Sequence, residues 1–102
     1  MIIIELTYKK PIDVVNEFVD EHIAFLKKYY EKGIFLASGQ KNPHDGGIIV
    51  ALGDKDTIIK IIQEDAFVKN DVVNYRVTEF VPNRYHKVLE KIICDDNSHL
   101  TD

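Results

Sequence analysis

Tryptophan is missing from these 102 residues, cysteine and methionine occur once each, and positive charge is in deficit. Each shortage removes a class of function. With Cys94 alone, no intramolecular disulfide can form and nothing points to an oxidising compartment, so the cytoplasm is the expected location. The apolar start from Met1 to Leu6 has no positive region before it and meets Lys9, Lys10 and Pro11 too soon for a signal peptide or a membrane span. Thirteen Lys and Arg stand against 17 Asp and Glu, a net charge of -4. The pairs Lys9-Lys10 and Lys27-Lys28 are too short to follow a phosphate backbone, and no nucleic-acid partner is expected.

Several motifs are lacking as well. No Gly-x-Ser-x-Gly elbow surrounds Ser38, which argues against a serine hydrolase. Gly46-Gly47 lacks the pattern of a phosphate-binding loop and reads as hairpin geometry. His44, His86 and His99 are scattered, with no second ligand at metal-site spacing, so no metal is expected; no organic cofactor motif is present either. Cys94 falls near the end of the last helix, where packing suits it better than reactivity.

What is present is an ordinary globular composition, 45% hydrophobic and 29% charged, enough for one modest core. We expect a single domain over residues 1–94 and a polar tail over 95–102. Ile2, Ile4, Leu6 and Tyr8 alternate with Ile3, Glu5 and Thr7, the period of a strand. From Pro11, apolar residues recur at spacings of three and four up to Tyr30, predicting one helix that Gly33 ends as its C-cap. Residues 34–39 and 47–52 read as a hairpin around a segment of turn formers. Asp54 or Asp56 can cap a second helix carrying Ile58, Ile59, Ile61 and Ile62. Val72 to Phe80 alternates again, and Pro82 is expected to open a last helix.

The order β-α-β-β-α-β with an added C-terminal helix is that of an α+β ferredoxin-like sandwich, a four-stranded antiparallel sheet with helices on one face. Its other face would also be partly apolar, because the strands carry such residues on both faces: Ile3 beside Ile2 and Ile4, and Ile49 and Ala51 beside Ile48, Val50 and Leu52. A homodimer packed sheet against sheet would cover that face; the alternative is the C-terminal helix folding over it in a monomer.

Four residues are candidates for chemistry. His22 lies within the apolar stripe of the first long helix, where an imidazole is either a satisfied core histidine or a proton carrier beside a pocket. Asp65, placed at the end of the second helix where a carboxylate faces the unfavourable negative end of the helix dipole, is either a simple turn residue or the carboxylate that fixes the tautomer of His22. Ser38 and Gly39, at the end of the second strand, offer a hydroxyl and a close backbone approach for substrate binding, or plain turn chemistry.

These residues resemble a known pattern. His22-Ile23-Ala24-Phe25-Leu26 resembles the His-x-x-aromatic-Leu helix of YciI-like (YCII-related) proteins, and Gly33 to Gly39 resembles their Gly-x-Leu-x-x-Ser-Gly strand. Asp45-Gly46-Gly47 is similar to their hairpin, Asp65-Ala66-Phe67 to their Asp-Pro-Phe turn, and Tyr75 to Phe80 to their closing strand. The resemblance covers about residues 2–81 and implies a dimeric α+β barrel with His22 and Asp65 as its active-site pair. It further implies proton-transfer chemistry, a lyase or isomerase acting on a small cyclic or aromatic substrate, similar to dehydrochlorinases or muconolactone isomerases. The competing reading is a non-catalytic dimeric module for a small ligand or protein. A cofactor-free monooxygenase, which the missing tryptophan disfavours, comes third. This chain departs from the pattern at Val19, where an arginine is common, at Gln40, where a proline usually follows Ser-Gly, and at Ala66, in place of the turn proline.

Overall fold

The computed structural model describes residues 1–97. Its first strand, β1 (Ile2–Tyr8), turns Ile2, Ile4 and Leu6 into the core and leaves Ile3, Glu5 and Thr7 on the other face, as the alternation requires. β1 lies in the middle of a four-stranded antiparallel sheet of order β2-β3-β1-β4, with β2 at Phe35–Gln40, β3 at Gly46–Ala51 and β4 at Val73–Glu79. Ile4 pairs with Ile49 on one side and Val77 on the other, so three strands deliver one aliphatic row to the same face. Val15, Phe25, Tyr29, Ile58 and Ile62 pack onto that row from the helices. This is the ferredoxin-like α+β arrangement expected from the order of elements.

The predicted long helix is two. α1 (Ile12–Asn16) ends where the amides of Glu17 and Phe18 turn to the carbonyls three residues back, Val14 and Val15, and α2 (Val19–Glu31) starts afresh. The apolar stripe runs unbroken across that joint, so periodicity alone does not register it. Gly33 closes α2 as expected: at φ +73° it lets its own amide reach Tyr30 and that of Ile34 reach Tyr29, both carbonyls otherwise left open. The hairpin turn brings Gly46 so close to β1 that a Cβ there would lie 1.8 Å from the Leu6 carbonyl oxygen. Only glycine fits.

After α3 (Lys55–Ile62) comes a short helix, α4 (Ala66–Lys69), which corrects the reading of Asp65. Asp65 is the N-cap of α4, where the helix dipole favours a carboxylate, rather than a residue set against the negative end of α3. The C-terminal helix also differs from expectation. Pro82 begins an irregular link, a 3-10 turn spans Lys87–Leu89, and α5 covers Glu90–Asn97. The start is displaced because the ring Nδ1 of His86 accepts the Val88 amide, capping the turn there. The expected tail from Asp95 is helical as far as Asn97, and Asp96 is buried; the rest of that tail, His99 included, lies outside the described residues. α5 does not blanket the open face of the sheet, where Ala37, Gly39, Arg76 and Thr78 remain exposed. Among the described residues, no helix is long and apolar enough to cross a membrane.

Candidate functional site

Two short-range facts and one long-range fact build the site. At Asp65 the backbone is extended, and the carboxylate turns back so that its Oδ1 accepts the Phe67 amide at 3.0 Å. Two residues into α4, the Phe67 ring then projects toward α2. On α2, His22 meets both: its Nδ1 lies 2.8 Å from the same Oδ1 of Asp65, and its ring stacks on Phe67 with centroids 4.0 Å apart and planes 11° from parallel. The imidazole is thus fixed along one edge and over one face.

Asp65 is fully buried, whereas the His22 side chain keeps 15% of its surface open. A carboxylate at Nδ1 accepts a hydrogen bond from it, so in the neutral ring Nδ1 is the N–H and Nε2 carries the lone pair. His22 borders a hollow of about 260 Å³ whose apolar wall is Ile12, Val19, Ile23 and Phe67 and whose polar groups include Tyr8, Asn16, Gln40 and His44. Such a space suits a single-ring molecule better than a dinucleotide. Burial pushes the Tyr8 phenol up from its ordinary range, keeping it an O–H donor at neutral pH. A larger groove of about 370 Å³ lies along α2 and α4 beside Lys28 and Glu64, away from the His22 ring. It holds a surface ion pair and no paired imidazole.

The sequence-predicted residues divide. His22 and Asp65, 43 positions apart, are in contact. Ser38 and Gly39 are not among the residues lining the hollow. The Ser38 hydroxyl pairs with the Tyr30 hydroxyl at 2.5 Å, and a Cβ at Gly39 would meet nothing within 4 Å. The strand instead presents the next residue, Gln40, to the hollow. Tyr8, His44 and Phe67 went unassigned by sequence reasoning. The signal for Tyr8 was its place in the core-facing alternation of β1; for His44 there was none, because the hairpin alone carries it to Tyr8. Two of the departures from the family pattern, Val19 and Gln40, line the hollow. Among the described residues, no cluster of three or more His, Cys, Asp or Glu side chains could hold a metal ion.

Known proteins agree with this architecture. A family model described as the YCII-related domain matches residues 1–81. The chain belongs to that family. Among solved structures it is similar to 5-chloro-2-hydroxyhydroquinone dehydrochlorinase from Burkholderia phenoliruptrix in complex with 2,5-dihydroxybenzoquinone. The two share 15% identity over 86% of this chain and 98% of the other, with a TM-score of 0.65. At that identity the likeness is one of fold. No curated protein matches the chain.

Proposed function

We propose that this protein is a cytoplasmic proton-transfer enzyme, a lyase or isomerase acting on a small cyclic or aromatic compound, with His22 as its acid–base and Asp65 orienting it. One observation carries the reading: the Nδ1 edge of His22 is committed to a buried carboxylate while the ring borders a hollow of single-ring size. Nε2 takes a proton from substrate carbon. In an elimination the freed electron pair then expels a leaving group such as chloride, and in an isomerisation the same proton returns to a different carbon. Asp65 holds the Nδ1–H and offsets the charge of the imidazolium that forms. The dehydrochlorinase similar in fold supports trying hydroxylated aromatic rings first.

The test is turnover of 5-chloro-2-hydroxyhydroquinone and its unchlorinated analogue in deuterated water, following chloride release and deuterium uptake by mass spectrometry. His22→Ala should lower either signal by roughly 10²- to 10⁴-fold, the usual worth of a positioned acid–base. Full activity in that variant would overturn the assignment.

A second reading has its own support. Asp65 caps α4, a structural duty it would have in a non-catalytic ligand-binding module too. In that case no substrate turns over and removal of Asp65 reads out only as lost stability. For either reading we propose a homodimer through the open sheet face, where Ile3, Ile48 and Val50 are half-buried and Glu5 and Thr7 sit beside them. Sedimentation of Ile48→Asp against the native chain checks it: a dimer that this variant splits supports the interface, and a monomeric native chain removes it.

A further inference from the structure

The reaction proposed above gives His22 a proton to remove but leaves the oxygen chemistry of the ligand unassigned. Removing a proton from the carbon beside a ring carbonyl, or from a ring hydroxyl itself, drives negative charge onto that oxygen, and some group must receive it. Among the described residues, no Lys or Arg lines the hollow. The polar groups bordering it beside His22 are two amides, Asn16 and Gln40, and one tied pair, Tyr8 and His44.

That pair is built into the fold at both ends. Tyr8 is the last residue of β1; its amide bonds the Asp45 carbonyl at 2.8 Å, and the next amide, of Lys9, bonds Val72 at 3.0 Å. Its ring stands edge-on to Phe67, at 89° with centroids 6.2 Å apart, and Phe67 is the ring on which His22 stacks. The Tyr8 hydroxyl and the His22 imidazole are therefore referenced to one aromatic side chain. His44, on the hairpin turn, places Nε2 3.2 Å from the Tyr8 hydroxyl, with the two rings at 69°. A phenol is an O–H donor at neutral pH, and burial raises its pKa further still, so it meets a ligand oxygen as a hydrogen-bond donor.

We propose that Tyr8 is the residue that binds a ligand oxygen in this hollow, that His44 is its positioning residue, and that the ligand class is a small ring compound bearing a hydroxyl or enol oxygen. With the hollow empty, the phenol donates to Nε2 of His44. When a ligand oxygen arrives, the phenol turns its hydrogen to that oxygen and accepts in turn from Nε2–H of His44, which is exposed and changes tautomer by releasing the Nδ1 proton to water and taking one from water at Nε2. No proton is gained or lost by the pair. This inference rests on the hollow being a ligand site, as in the function proposed above, but not on His22 being catalytic.

Two probes that differ by one hydroxyl test it: 4-chlorophenol and chlorobenzene, titrated into isotope-labelled protein and followed through the amide signals of His22 and Phe67. The native chain should bind the phenol roughly five- to tenfold more tightly, the worth of one neutral hydrogen bond. Tyr8→Phe keeps the ring against Phe67 and should erase that preference while leaving the remaining spectrum native. His44→Ala should weaken the preference and His44→Gln, which still donates and accepts, should restore most of it. A preference that survives Tyr8→Phe overturns the proposal. Probes that leave the His22 and Phe67 signals unmoved overturn it together with the proposed function. Discrimination lost in Tyr8→Phe, with turnover intact in His22→Ala, sustains the Tyr8 role and removes only the catalytic one.

Discussion

Two carboxylates are buried at the two ends of β1, and they are held in different ways. Near Met1, Asp96 lies with Oδ2 2.9 Å from the chain's ammonium group and accepts the Gly53 amide on Oδ1 at 2.7 Å. Near Tyr8, Asp65 places both its bonds on one oxygen, to His22 and to the Phe67 amide, and Oδ2 accepts no hydrogen bond from the described residues. An ammonium set against a carboxylate ties α5 to the start of the central strand β1 and offers nothing further. An imidazole set against a carboxylate still has a second nitrogen. Burial of charge therefore does not distinguish structure from chemistry here; the partner's remaining valence and the hollow beside it do.

That contrast can be broken from the Asp96 side first. Asp96→Ala leaves an ammonium group with little solvent and no counter-charge from this residue, and should cost about 3 kcal/mol, the lower end for splitting a buried pair. For a domain near this size that is a fall in Tm of roughly 10 °C or more, with activity at low temperature retained. Calorimetry alongside the turnover assay reads both. Should Tm hold, α5 is anchored by its apolar contacts, Ile93 above all, and the ion pair is incidental.

Asp65 should respond less in stability and more in function. Asp65→Ala loses the cap of α4 and the bond to His22, together about 2 kcal/mol by urea unfolding. Asp65→Asn is sharper because one side-chain oxygen can still accept from both the imidazole and the Phe67 amide. The variant should keep all but about 1 kcal/mol of stability. Turnover should nonetheless fall, because only the charge facing the imidazolium is gone. Equal losses in Asn and Ala variants, in both assays, would make Asp65 a cap and nothing more.

The sheet was legible because its information is local. The alternation in β1 and β4 and the glycines at 33 and 46 each state a backbone requirement at their own position. The joint between α1 and α2 was not legible, since Val15, Phe18 and Val19 continue one stripe whether or not the backbone bonds change partners there. The pairing of His22 with Asp65 came from resemblance rather than from spacing; 43 intervening residues carry no signal of contact. Ser38 shows the limit of that route. Its motif matches, yet Tyr30 takes its hydroxyl, and it is Gln40, two residues further along the same face of the strand, that lines the hollow. His44 was passed over as a scattered histidine for a related reason: its partner, Tyr8, is 36 residues away and is reached only once the hairpin closes.

The smallest expected effect comes from a third carboxylate, Glu64, adjacent to Asp65 in sequence but turned outward. Its carboxyl is held below the ordinary range first by the hydrogen bond from Lys28, at 2.7 Å, and then by the hydroxyl of Tyr29. A carboxyl that is more acidic folded than unfolded adds stability at pH above its unfolded value, and that increment disappears as pH falls through the lower folded value. Glu64→Gln should therefore lower Tm slightly at neutral pH and flatten the acid limb of the Tm–pH curve. With 43% of the side chain in solvent, the difference should shrink further in 1 M salt, where the Debye length is about 3 Å. An acid limb unchanged by Glu64→Gln would mean that Lys28 and Tyr29 hold the carboxylate equally well in the unfolded chain. A difference as large as that of Asp65→Ala would mean that pairing, not burial, sets the energetic scale at this end of the sheet, and the contrast between Asp65 and its exposed neighbour would fall.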